Sequence, residues 1–345
     1  MSVGARIKIA RLAAGMSTKT LADLVQVTKQ AISKYERDLD MPSSAVLLRL
    51  ARALGVSVDY FFRPQSVDVA LTAYRRDSSL PARVGRRILE QARDLLERYL
   101  EVENILSTGE TPGFQFPDGF PYELHRSEDA EDAAQKLRKA WDLGVDPIEN
   151  LTDVLEDHGL RVVMVDRHKD FDGCTLEANG NIPVIAVAKG LPGDRQRFTI
   201  AHELGHIMLR MSSNSKGLDE EGTINRFAAA FLVPCERARY ELGEKRRNLS
   251  PDELFLLKHK YGLSMKAWVH RADELGIISH YQKRKLFQLF KQHGWNTQEP
   301  GEQIPSEKPK RMKLLVERAL AEGLISQSKA AELIGEPVFA SGPTG

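Results

Sequence analysis

His202, Glu203 and His206 stand as H-E-x-x-H within FTIAHELGHIMLR, residues 198–210. Two histidines four residues apart share one face of a helix, so both imidazoles can grip one metal ion. Zn²⁺ suits such ligands, and Glu203 then serves as general base toward a water that the ion has made acidic. A catalytic zinc takes a third protein ligand. Downstream, LDEEGTINRFAAAFLVPCE (218–236) opens acidic and turns apolar, and reads as a second packed helix. Glu221, one turn before Asn225, can aim a carboxylate at the ion, and Glu220 and Asp219 are rivals in the same patch. A group that stabilises an oxyanion is also needed for peptide cleavage. Tyr240, His259, His270 and Arg271 qualify by residue type alone.

A different chemistry sits near the N-terminus, in STKTLADLVQVTKQAISKYER (17–37). Ser17 and Thr28 are placed to cap two short helices, with Leu21, Val25 and Ile32 facing inward. On the outer face of the second helix this leaves Lys29, Gln30, Ser33, Lys34 and Arg37, with Thr28 at its start. A helix presented this way enters the major groove, where Gln pairs with adenine and Lys or Arg meet guanine or phosphate.

Several elements must position these groups. Apolar spacing and breaks at Gly15, Gln26, Leu39–Pro42 and Gly55 predict five short helices over 3–62. Residues 63–82 read as a linker, 83–106 as one amphipathic helix and 107–126 as a Gly/Pro-rich loop. Ser127 is expected to cap the next helix, and another is expected to follow Pro147. LRVVMV, DGCTLEA and IPVIAVA are the expected strands, and the last, if it is a sheet edge, can pair with an extended substrate. Helices return over 194–293; residues 296–313, rich in Pro, Glu and Lys, read as flexible, and short helices close the chain. The fold class is α+β, predominantly helical. The expected units are a five-helix DNA-binding domain at 1–62, a linker and connector helix at 63–126, a zincin-like domain with a small sheet at 127–295, and a flexible tail with short helices at 296–345.

Charge supports separate jobs for separate segments. Residues 1–62 hold nine Lys/Arg against five Asp/Glu, whereas 127–157 hold three against ten. Cys174 and Cys235 form no C-x-x-C, which argues against a disulfide scaffold and fits a reducing, cytoplasmic compartment. No stretch has the apolar length of a membrane span, and the basic N-terminus lacks the apolar core of a signal peptide.

Two resemblances follow from these motifs. The run from Arg6 to Phe62 resembles the Xre/phage-repressor family: Leu21-Ala22, Ile32-Ser33 with Glu36, Pro42, and the ending LA-x-ALGV-S-x-D-x-F. It implies dimers that bind two half-sites of the protein's own operator. Thr18 and Lys19 stand where a phosphate-contacting Gln often opens the second helix of that family, and Lys19 is the expected substitute. Residues 171–234 resemble the ImmA/IrrE family of metallopeptidase-like proteins, through Asp172-Gly173, R-F-T-x-AHELGH and E-x-x-x-N-x-FAA-x-FL-x-P. That resemblance implies zinc on His202, His206 and Glu221, with Glu203 as base. Ile224 replaces a common Ala, and Arg210 a common His. The combination implies a DNA-binding transcriptional regulator whose zinc-dependent endopeptidase cuts a regulatory protein. The alternative is an antitoxin that represses its operon and holds a PIN-like toxin, its zinc-like domain serving for binding.

Overall fold

The structure is a computed structural model that describes residues 2–62, 68–71, 81–106, 114–212 and 217–335. The first unit comprises α1 (Val3–Ala13), α2 (Thr18–Val25), α3 (Lys29–Tyr35) and α4 (Ser44–Leu54). Ser17 accepts a hydrogen bond from the Thr20 N–H at 3.0 Å, and Thr28 one from Ala31 at 3.1 Å, so both expected caps form. Gln26 turns the chain between α2 and α3 in the left-handed conformation, φ 56°. Ile7, Leu21, Val25, Ile32, Leu50 and Phe61 share one core. The expected fifth helix is a single 3₁₀ turn, Asp59–Phe62, in which Tyr60 and Phe61 are buried as anchors.

The remaining elements, in chain order, are β1 (Val69–Leu71), α5 (Ala82–Ile105), β2 (Tyr122–Leu124), α6 (Asp129–Ala140), α7 (Leu151–Asp157), β3 (Arg161–Val165), β4 (Gly173–Ala178), β5 (Ile182–Ala188), α8 (Gly193–Met208), β6 (Leu209–Met211), α9 (Glu220–Leu232), α10 (Cys235–Leu242), α11 (Pro251–Tyr261), α12 (Met265–Glu274), α13 (His280–Gln292), α14 (Arg311–Ala321) and α15 (Gln327–Ile334). The main sheet runs β1-β4-β5-β3, with β4 antiparallel to both neighbours and β3 parallel to β5. IPVIAVA is therefore a central strand and offers no edge to a substrate. Val184 to Ala188 are all fully buried, as expected of a strand covered on both faces. Three three-residue strands escape the sequence pattern because they are too short to alternate. They are β1 inside the expected linker, β2 inside the expected loop, and β6, which pairs parallel with β2.

Two expected helix starts shift. The carboxylate of Asp129, rather than Ser127, gathers the N–H groups of His125 and Arg126 before α6. Asn150, rather than Pro147, precedes α7, accepting from the Asp153 N–H at 3.1 Å. Ile88, Ala92 and Leu96 of α5 join the core of the main sheet. The same helix holds the N-terminal unit: Arg6 pairs with Glu97, both buried, and Gln91 donates to the Ala13 carbonyl at 3.1 Å. Among the described residues, no helix is long and apolar enough to cross a membrane.

The segment expected to be flexible, 296–313, is instead a pinned strap. Glu299 accepts from buried Lys258 at 2.9 Å and from the Met265 and Lys266 N–H groups at the start of α12. Glu307 pairs with buried Arg197, accepts from the Thr152 N–H at 2.8 Å, and exchanges backbone hydrogen bonds with the Gln196 side chain. Glutamates that look solvating in the sequence are here desolvated and satisfied.

Candidate functional site

α8 brings His202 and His206 together. Their Nε2 atoms lie 3.1 Å apart, and the rings meet edge-on. α9 crosses α8 and delivers Glu221 from its first turn. Glu221 Oε2 lies 3.4 Å from His202 Nε2, and Oε1 lies 3.7 Å from His206 Nε2. Among the described residues, these three form the one group of His, Cys, Asp or Glu side chains suited to hold a metal ion. The rivals stand apart from it: Asp219 caps α9, accepting from the Gly222 N–H at 3.1 Å, and Glu220 is not among the grouped side chains.

The crossing depends on Gly205. A Cβ there would lie 2.9 Å from Ile224 Cγ2 and 3.1 Å from Phe227 Cδ1. Ile224, the departure from the common alanine, fills the space that this glycine leaves. Asn225 is a residue that the sequence reading did not assign to the site. It stands four residues after Glu221, hence on the same face, and its Oδ1 accepts from His202 Nδ1 at 2.9 Å. That bond directs Nε2 of His202 toward Glu221.

Glu203 points from α8 toward the sheet and is buried. The Thr175 hydroxyl on β4 lies 2.9 Å from Glu203 Oε2 and 3.2 Å from its carbonyl. Gly173, two residues earlier on the same face of β4, lets α8 approach: a Cβ there would lie 2.6 Å from Thr199 Cγ2. Nothing in the sequence singles out Thr175, because its partner is brought by the fold.

A cleft of about 840 Å³ adjoins the cluster, lined by Thr199, Asn225, Lys266, His270 and Trp295 among others. His270 is the one oxyanion candidate that lines it. Burial, then the charges of Lys283 and Lys266, push its pKa down to about 4. Arg271 is buried in a structural role, donating to the Val233 carbonyl and pairing with Glu131. His259 binds the carbonyls of Phe255 and Glu302, and Tyr240 is exposed under Arg237.

In the N-terminal unit, Lys19, Thr28, Lys29, Gln30, Lys34 and Arg37 are exposed, and Ser33 is half-buried. Arg37 reaches back to the Ser33 carbonyl at 3.0 Å. Arg11 ties α1 to the end of α3 through a two-pronged pair with Glu36. The Thr28 hydroxyl is occupied as a cap, which leaves the Lys29, Gln30 and Lys34 side chains free to project.

Two family matches agree with this division. Residues 7–61 match the helix-turn-helix family, and residues 155–273 match the IrrE N-terminal-like domain. The chain belongs to the helix-turn-helix family through its N-terminal unit and carries an IrrE N-terminal-like domain behind it. It is 37% identical over 67 residues to the HTH-type transcriptional regulator ImmR of Bacillus subtilis, covering 19% of this chain and 53% of that one. An uncharacterized HTH-type transcriptional regulator of Rickettsia conorii is 40% identical over 60 residues, 17% of this chain and 48% of that one. The SPbeta prophage-derived uncharacterized HTH-type transcriptional regulator YonR of Bacillus subtilis is 30% identical over 102 residues, 29% of this chain and 94% of that one. The chain spans about half the length of the first two of these relatives.

Proposed function

We propose that the chain is a transcriptional regulator that binds duplex DNA, its own operator included, as a cytoplasmic homodimer, and whose second domain is a zinc-dependent endopeptidase acting on a regulatory protein. The observation that carries the peptidase reading is the donor set of His202, His206 and Glu221 with Glu203 alongside. Tetrahedral zinc with ligands at roughly 2.0–2.1 Å requires donors about 3.3 Å apart. The separations of 3.1, 3.4 and 3.7 Å fit that requirement. A zinc ion bound there supplies Lewis acidity toward a water and a substrate carbonyl.

The protein's own groups do the rest. Asn225 holds the His202 ring, Thr175 holds the Glu203 carboxylate, and Glu203 takes and returns the proton. His270, neutral at physiological pH, is available as a hydrogen-bond donor at the cleft wall.

Glu203→Gln tests this. A general base typically contributes about 10²–10⁴-fold to rate. The variant should keep fold, zinc and DNA binding, yet leave a co-expressed repressor-like target uncut. If it represses and protects cells as well as the wild type, the domain is a binding module, as an antitoxin that holds a toxin requires.

A further inference from the structure

Residues 275–298 contain four Lys/Arg and no Asp or Glu, in a chain with 49 basic and 48 acidic residues. The middle of this stretch, His280–Gln292, is α13, capped by a reciprocal Ser279–Gln282 box. Leu286 and Phe290 are buried on one side. Tyr281, Arg284, Lys285, Gln288, Lys291 and Gln292 are all exposed. At 3.6 residues per turn, those six side chains fall within an arc of about 120°. Lys283, on the inner side, is neutralised by Asp273 at 2.8 Å, and the same carboxylate lies 2.7 Å from His280 Nδ1. Arg284, Lys285 and Lys291 have no acidic partner among the described residues. A helix face with three unneutralised cations, two amides and a phenol consists wholly of hydrogen-bond donors to phosphate. Only the Tyr281 ring adds apolar surface, so the face is no membrane-inserting amphipathic helix.

We propose that the outer face of α13 is a second, sequence-independent contact for duplex DNA, gripping the phosphate backbone beside the site read by α3. The occupant follows from charge complementarity and from tethering. Duplex DNA is the polyanion that the helix-turn-helix unit of this chain already recruits, and a second contact on a tethered domain acts at high effective concentration. Arg284 and Lys291 are two turns apart, about 10 Å along the helix, so the face spans more than one phosphate. The inference rests on the DNA-binding reading above.

The test is fluorescence anisotropy with the full chain on a 60-base-pair and a 16-base-pair random-sequence duplex between 50 and 200 mM salt. The combined variant Arg284→Gln, Lys285→Gln, Lys291→Gln removes up to three phosphate contacts, each contributing about 0.9 to the log–log salt slope. On the long duplex the slope should fall by about 2–3 and affinity at 100 mM salt by tenfold or more. On the short duplex, which the helix-turn-helix unit fills, both should stay unchanged. Lys29→Ala with Lys34→Ala should weaken binding to both lengths. Wild-type slope and affinity of the triple variant on the long duplex overturn the α13 contact while leaving the DNA-binding reading intact. Equal loss on both lengths overturns it as well, and a wild type that binds neither duplex overturns both. A gain for single-stranded RNA or an acidic protein over duplex DNA would assign the face to that partner and reject the proposal.

Discussion

Asn225 Oδ1 lies 2.9 Å from His202 Nδ1, so one residue of α9 sets the ring that Glu221, a turn earlier on the same helix, faces from the other side. The partner of a ligating histidine fixes its tautomer, and its loss typically costs about 10–100-fold in metal affinity. Asn225→Ala should therefore weaken zinc by that factor in chelator competition. His202→Ala, His206→Ala and Glu221→Ala should each lose most of the metal, while Glu203→Gln retains it. Full zinc in Glu221→Ala would remove that residue from the donor set, and undiminished affinity in Asn225→Ala would reduce the hydrogen bond to packing.

Gly205 is a contact as well as a helix residue. A methyl group there meets Ile224 at 2.9 Å and Phe227 at 3.1 Å, closer than ordinary van der Waals contact. Overpacking of this kind costs about 1–3 kcal/mol. Gly205→Ala should lose that much in urea unfolding, and much of the loss should be recovered in the Ile224→Ala background. Additive effects in the double variant would show that Ile224 does not set the approach of the two helices.

The strap yields the sharpest contrast between sequence and structure. Glu307→Ala would strip Arg197, whose side chain is only 6% exposed, of its carboxylate. Removing one partner of a buried pair costs about 3–5 kcal/mol. A glutamate in a solvated tail would cost at most about 0.5 kcal/mol. Urea denaturation of the variant separates the two.

That contrast marks where the sequence stops being legible. The His202–His206 pair is readable because its spacing is local and periodic, and Gly205 and the apolar body of α8 agree with it. The short helices of the N-terminal unit are readable for the same reason, since Ser17 and Thr28 cap helices whose inner faces are plain. Glu221, Glu220 and Asp219 share one acidic run, and only the fold separates their places, with Asp219 capping α9 and Glu221 set beside the two imidazoles. Thr175 meets Glu203 across 28 residues, and Glu307 meets Arg197 across 110. Such pairings have no local period, so a Pro- and Glu-rich segment looks solvated until the fold supplies its partners.

On DNA, the exposed tip of α3 and the exposed start of α2 should behave differently. Gln30→Ala should cost about 1–3 kcal/mol on the preferred site and relax selectivity at one base. Lys19→Ala should weaken all duplexes alike and lower the salt slope by about 1. A selection experiment with each variant, read by sequencing, distinguishes a base contact from a phosphate contact. An unchanged preferred sequence in Gln30→Ala would remove that residue from base reading.

Glu156 makes the attachment of the C-terminal helices depend on pH. It is buried at the end of α7, and its Oε2 accepts from the Lys310 and Arg311 N–H groups, 3.2 Å each, where α14 begins. Burial pushes its pKa up from 4.5 to about 7; the two N–H groups and Arg161 oppose the rise, and Asp153 adds to it. The folded state thus holds a proton that the unfolded chain has released. Because the folded pKa is the higher one, the stabilising contribution is complete below about pH 4.5 and is lost as pH rises through about 7. A shift of this size corresponds to about 3 kcal/mol. Glu156→Gln keeps an oxygen for both N–H groups and does not titrate. It should match the wild type near pH 4.5 and exceed it by up to about 3 kcal/mol at pH 8. The difference should open mainly between pH 5 and 7.5 in denaturant titrations, and a pH-independent difference would refute the burial of this charge as its cause.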